Sequence, residues 1–309
     1  MKKFALLADN SCALTKNLRE RFGVDGIVYG NVEYPDGHTV KSDIDWEHTT
    51  PEEYFGSMAS KKFIYKTSCC NIDEVIATMK PFAEEGRDIL MITLSHALSG
   101  TYSVCCNAGE EIKKQYPNIK VRIIDSLRYS TALGLLLVEA SNKRNEGLSM
   151  EEVADWVEAN NIRFHQMGMM DDMFFLARTG RVSKAKAFMG NLVGVEPMAE
   201  IGSDGLSTVI GKAKGKRNAI NAIVEYVKQT IDEPENHIIF VCHSVRLKEA
   251  TMLLDLLKEA FPKTEIILSS VDQSSGANIG PGLVACYYYG KPASSDLSAE
   301  KEILAKILG

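Results

Sequence analysis

The feature that most constrains this chain is a recurrence in its first half. A short β-rich apolar run, a polar loop and an amphipathic helical stretch follow one another several times. Phe4-Ala5-Leu6-Leu7 runs into Asp9-Asn10-Ser11, and Thr15 then opens a helix whose Leu18 and Phe22 share a face until Gly23 ends it. Ile89 to Ile92 precedes a helix from about Tyr102 to Tyr116, and Val121 to Ile124 precedes one from about Tyr129 to Asn145. Thr50-Pro51-Glu52-Glu53, Asn71 with Glu74, and Ser149 with Glu152 are further helix starts, each with a capping side chain and a glutamate three positions on. Such alternation predicts a parallel sheet with helices on its faces, and ligands of such sheets sit beyond the carboxyl ends of the strands. Asp9-Asn10-Ser11, Ser95 to Thr101 and Asp125-Ser126 are expected at that rim, with Thr67-Ser68 nearby.

The second half reads differently. Pro197 to Ile201 and Leu206 to Ile210 flank Gly202-Ser203-Asp204-Gly205, a hairpin signal. A helix from about Lys216 to Ile231, a strand Ile238 to Cys242, a helix Lys248 to Phe261 and a strand Glu265 to Ser270 follow. Gly276-Ala277-Asn278-Ile279-Gly280-Pro281-Gly282 reads as a tight loop before a last apolar strand, and Ser298 to Leu308 as a short capped helix. The expected fold class is α/β with two domains. Residues 1–160 form an N-terminal parallel sheet flanked by helices, and residues 161–309 a C-terminal α/β domain with a mixed or antiparallel sheet.

Composition narrows the function classes. With 309 residues, 45% of them hydrophobic, the chain has enough apolar material to enclose a ligand as well as to fold. A net charge of −6 argues against a general nucleic-acid binder. No run of apolar residues is long enough for a membrane span. Met1-Lys2-Lys3 leads straight into a strand without a signal-peptide pattern, so the expected location is cytoplasmic. The seven cysteines have no C-x-x-C spacing and read as buried thiols in a reducing compartment, with no metal and no cofactor expected.

Three constellations remain for chemistry. Ser99-Gly100-Thr101 lies between a strand and a helix, where free backbone N–H groups and two hydroxyls attract an anion, or where a hydroxyl merely caps the helix. Thr67-Ser68 is a second hydroxyl pair, a plain turn or cap if taken alone. Both at one rim would suit a carboxylate. The stripe from Met169 to Leu176 reads as core, whereas Arg178 and Arg181 frame a basic corner suited to a head group or an acidic partner. Ser95-His96 beside Ser99 leaves open an acyl hydrolase, or a small-molecule kinase using the Ser-Gly-Thr loop. No G-x-S-x-G elbow or nucleotide fingerprint supports either.

Taken in order, these motifs resemble the DegV family: Asp9-Asn10-Ser11, Lys66-Thr67-Ser68, Leu98-Ser99-Gly100-Thr101-Tyr102, Ile124-Asp125-Ser126, Arg178-Thr179-Gly180-Arg181-Val182-Ser183, Pro197 with Asp204-Gly205, and Gly280-Pro281-Gly282. The resemblance implies two α/β domains with a long-chain fatty acid, palmitate- or oleate-like, bound between them. The carboxylate would meet Thr67 and Ser99, with Ser68, Gly100, Thr101 and Asn278 around it. It also implies a carrier that catalyses nothing itself and presents its ligand to a separate fatty acid kinase for phospholipid synthesis. Here Asn278 stands where the family usually has histidine, Thr179-Gly180-Arg181 replaces Gly-Gly-Arg, and Cys69-Cys70 replaces the proline after Thr-Ser. The change at Asn278 admits a carrier of another hydrophobic anion.

Overall fold

The computed structural model describes residues 3–171, 173–181 and 194–309. Val182 and Ser183, the end of the motif that begins at Arg178, lie outside the described residues.

The chain-ordered strands are β1 (Ala5–Asp9), β2 (Gly26–Val28), β3 (Asn31–Glu33), β4 (Thr39–Lys41), β5 (Lys66–Ser68), β6 (Ile89–Thr93), β7 (Val121–Asp125), β8 (Phe164–Met169), β9 (Val195–Ile201), β10 (Ser207–Lys214), β11 (Ile239–His243), β12 (Ile266–Ser270) and β13 (Val284–Tyr289). A wholly parallel sheet has the order β2-β1-β6-β7, as the alternating pattern predicts. Both β1 and β6 are buried along their full length, which is why they read as unbroken apolar runs. A six-stranded sheet has the order β10-β9-β8-β13-β11-β12 and is mixed, with only β11 and β12 parallel. The hairpin β9–β10 turns at Gly202–Gly205, where Gly205 takes a positive φ of 74°. The α/β class, with a parallel sheet first and a mixed sheet after it, is therefore as the sequence predicts.

Two expectations change. A small antiparallel sheet, β4-β3-β5, carries Thr67-Ser68 as strand residues, with Thr67 opposite Val32, and not as a turn or cap. Its strands are three residues each, too short to show an alternating pattern. The Gly276–Gly282 stretch is a loop only at its end, because Gln273–Ile279 is helical and Asp272 caps it by accepting the Ser275 N–H at 2.9 Å. Gly276 does not mark a turn. A Cβ there would come within 2.7 Å of the Phe55 ring, so the glycine allows the helix to lie against Phe55.

Helix Thr131–Asn145 lies between the parallel and mixed sheets. Leu133, Leu135, Leu136, Leu137 and Val138 have no exposed surface, and the helix shows no polar face over most of its length. One hydrophobic core therefore joins Leu136 of this helix to Leu6 and Ile92 of the parallel sheet and Phe164 and Phe240 of the mixed sheet. Two further cores cover the outer faces, one around Met79 and Ala108, the other around Ile223 and Leu253. Among the described residues no helix is long and apolar enough to cross a membrane.

Candidate functional site

The parallel sheet has its topological switch at β1 and β6: the chain leaves β1 toward β2 on one side and β6 toward β7 on the other. A crevice opens at the carboxyl ends of such a strand pair. Asp9 spans it. Its Oδ2 accepts the Leu94 N–H at 2.7 Å and its Oδ1 the Ser11 N–H at 2.9 Å. Burial raises the Asp9 pKa against the hydrogen bonds from Ser11 and Leu94 that lower it.

A cavity at this switch point is walled by Asp9, Asn10, Ser11, Thr67, Ser68, Ser99, Thr101, Arg181 and Asn278, with Leu94, Leu98, Leu176 and Ile279 as apolar surface. Its volume is about 100 Å³, and it opens to solvent.

The sequence-distant groups meet as follows. Helix Gln273–Ile279 follows the mixed sheet's β12 but packs on the first half of the chain, where the Tyr54 hydroxyl donates to the Gln273 carbonyl at 3.0 Å. This seating brings Asn278 to Thr67: Asn278 Nδ2 donates to Thr67 Oγ1 at 3.2 Å and to the Ser274 carbonyl at 3.1 Å. The Thr67 oxygen thus accepts from Asn278, and its proton is left to donate elsewhere. Gly30 must be glycine for β5 to pass, since a Cβ there would lie 2.5 Å from the Ser68 carbonyl oxygen.

Ser99 Oγ and Thr101 Oγ1 are 2.9 Å apart, and Ser99 Oγ also accepts the Thr101 N–H at 3.3 Å. One proton of the hydroxyl pair is used between them and one remains. Both stand at the start of helix Thr101–Gln115, whose N-cap, Gly100, supplies no side-chain cap. The positive end of that helix favours a negative group at the cavity. Gly100 itself and Arg178 are not among the described lining residues. Arg178 donates to the Tyr65 carbonyl at 3.4 Å, whereas Arg181 lines the cavity and donates to the Leu98 carbonyl at 3.4 Å. Partial burial, then the neighbouring Arg181 charge, lowers the Arg178 pKa. An anion between the two guanidiniums would relieve that repulsion.

Other expected rim residues go elsewhere. His96 pairs through Nδ1 with Asp125, but its side chain is 60% exposed and Ser95 is fully buried. A Cβ on Gly205 would lie 2.1 Å from Ser95 Oγ, so the hairpin turn covers that hydroxyl. Ser126 is buried and its Oγ accepts the Arg128 N–H at 2.9 Å. His165 and His243 are buried, and no histidine lines the cavity among the described residues. Sequence reasoning missed Tyr129, whose hydroxyl bonds Ser207 and accepts from Gln166 Nε2 at 3.0 Å, tying the cavity wall to the mixed sheet. The apolar wall was missed too, because Leu94, Leu98, Leu176 and Ile279 look like any core residues in sequence.

The family model described as uncharacterised protein, DegV family, matches residues 3–291. A DegV domain-containing protein of Clostridium perfringens is 27% identical over 94% of this chain and 98% of its own length. Among solved structures, a fatty acid-binding DegV family protein from Thermus thermophilus is 23% identical, with a TM-score of 0.82 over 94% of this chain and 100% of its own. A stearic acid-binding protein from Eubacterium ventriosum is 20% identical, with a TM-score of 0.81 over 93% of this chain and 98% of its own. At these identities the solved structures establish the shared fold. The family model spans nearly the entire chain, and the chain belongs to the DegV family.

Proposed function

We propose that this chain binds one long-chain fatty acid, palmitate- or oleate-like, with its carboxylate at Thr67 and Ser99. The observation that carries the reading is the convergence of the Thr67, Ser99 and Thr101 hydroxyls on one cavity with an apolar wall. Ser68 and Asn278 complete the head-group surroundings, Gly100 contributes from behind as the helix N-cap, and Arg181, with Arg178 outside the lining, lends positive charge at the edge. The ligand class named for the solved relatives supports the same reading.

The energetics divide naturally between tail and head. About 14 methylenes at ~0.8 kcal/mol each offer on the order of 11 kcal/mol before ordering costs. The hydroxyls then need only keep the buried carboxylate from being unpaired. The chain acts as a carrier without catalysis or cofactor of its own, in the cytoplasm. Residues 1–160 and 161–309 are its two domains, with the ligand between them. Arg178 and Arg181 are the residues we assign to contact with a separate fatty acid kinase.

Denaturing mass spectrometry of protein purified from cells should release a long-chain fatty acid, and delipidated protein should take up palmitate or oleate. Finding neither would overturn the reading, and a different hydrophobic anion in its place would correct the ligand class. Thr67→Ala with Ser99→Ala should weaken palmitate binding on the order of thirtyfold or more, as two hydrogen bonds to a charged group are lost. Unchanged affinity would remove both residues from the site.

A further inference from the structure

Asn10 opens the short 3-10 turn Asn10–Cys12 after β1 and is only 4% exposed. Its amide can face only one way. Asn10 Oδ1 accepts the Gly30 N–H at 2.8 Å, and a backbone N–H cannot accept in return, so the amide nitrogen points away from Gly30. That nitrogen, Nδ2, is buried and has no hydrogen-bond partner, and Asn10 forms part of the cavity wall. Its neighbour Asp9 is already engaged by the Ser11 and Leu94 N–H groups. A buried donor without an acceptor is costly, so such a group is explained by a bound molecule or a water.

Asn10 Nδ2 has the same polarity as the rest of the site. Thr67 accepts from Asn278 and so has its own proton free, and one proton of the Ser99–Thr101 pair is free as well. The wall therefore offers donors to a group that only accepts.

Resting on the fatty acid reading above, we propose that Asn10 is a head-group ligand: its Nδ2–H donates to a carboxylate oxygen and selects acceptor-only head groups over alcohols. Asn10 was visible at the rim in sequence, but only the fixed amide orientation and the unpaired nitrogen give it this role.

The test compares palmitate with hexadecanol, which share a tail length but differ in head group. Asn10→Asp keeps the acceptor for Gly30 and exchanges the donor for a carboxylate oxygen, and Asn10→Ala removes both. At pH 8 both variants should bind palmitate about tenfold or more weakly while hexadecanol changes less than about threefold. In wild-type protein titrated with palmitate, the Asn10 side-chain amide proton should shift downfield by NMR, a readout that does not depend on a variant folding. Palmitate affinity unchanged in either folded variant, parallel loss of both ligands, or an unmoved amide resonance would overturn the proposal. If wild-type protein takes up no palmitate at all, the fatty acid reading itself fails, and the two failures are distinguishable.

Discussion

At the residue scale, the site depends on side chains whose hydrogen-bonding capacity is partly spent before a ligand arrives. Asn278 commits both Nδ2 protons, one to Thr67 and one to the Ser274 carbonyl. On the proposed reading, its effect on a head group would run mainly through the Thr67 hydroxyl it orients. Asp272 caps the same helix from full burial, which pushes its carboxyl up to about 6 against the lowering hydrogen bonds from Ser275 and Ser274. Gly30 is decisive for a steric reason, since β5 crosses its Cα so closely that a methyl group would strike the Ser68 carbonyl. Gly30→Ala should push the Thr67-Ser68 strand outward and weaken palmitate binding about tenfold or more, measured by displacement of a fluorescent fatty acid. Wild-type affinity in that variant would show that β5 does not position the head group. Thr67, Ser99 and Thr101 were legible as a candidate clasp in sequence. Their partners were not, because Asn278 is far along the chain from Thr67 and nothing local records the contact.

At the element scale, helix Thr131–Asn145 organises the molecule. Its N-terminal turns pass against the Asn10–Cys12 turn, and a Cβ on Gly134 would come within 2.4 Å of the Cys12 carbonyl oxygen. In an ordinary exposed helix, Gly→Ala gains about 1 kcal/mol. Here the sign should reverse. Gly134→Ala should destabilise the fold by on the order of 1–3 kcal/mol through overpacking, seen as a lower midpoint in urea unfolding. A higher midpoint would mean that the turn yields freely. Several helix boundaries were readable because their signals are local: the capping boxes Thr50–Glu53 and Ser149–Glu152 both form, and Asn71 takes the Glu74 N–H at 2.9 Å. Gly276–Ile279 reads as loop in the sequence but is helical, because its glycine reports a packing contact with Phe55, which sequence cannot distinguish from a turn.

At the scale of the whole molecule, the two halves are joined by charge as well as by their shared core. Arg128, fully buried, reaches from the end of the parallel sheet to donate to the Phe164 carbonyl at 2.8 Å and to the Gly202 carbonyl at 3.4 Å. Burial lowers its pKa to about 10, with nearby Glu200 opposing the fall. Glu200 also receives His165 Nδ1 at 3.0 Å and the Tyr226 hydroxyl at 3.3 Å, while His165 Nε2 meets the Lys291 carbonyl at 2.8 Å. Both imidazole nitrogens face acceptors, which suits the charged ring. Burial pulls the His165 pKa down and Arg128 adds to that, but Glu200 and the Lys291 carbonyl outweigh them and the net shift is upward. Burial likewise raises the Glu200 pKa, but His165 and the Gln166 and Ile201 N–H groups bring it below its usual value. The His165 contribution is therefore complete below about pH 6.5 and is lost as pH rises through its raised value. The Glu200 contribution is present above about pH 4.5 and is lost as pH falls through its lowered value. Thermal midpoints should fall on the alkaline side, and His165→Gln should lower stability on the order of 3 kcal/mol and flatten that limb. An equally steep limb in the variant would assign it to other groups. The sequence alone determined the α/β class, the parallel order of helices and strands in the first half, the hairpin of the second and the candidate hydroxyls. Each rests on periodicity or capping within a few residues. Only the tertiary structure decided which side chains meet. It brought Asn278 to Thr67, left Asn10 Nδ2 buried and unpaired at the cavity wall, buried Ser95 beneath Gly205 and gave one helix to two sheets. Those outcomes follow from packing between segments far apart in the chain, and local sequence does not encode them.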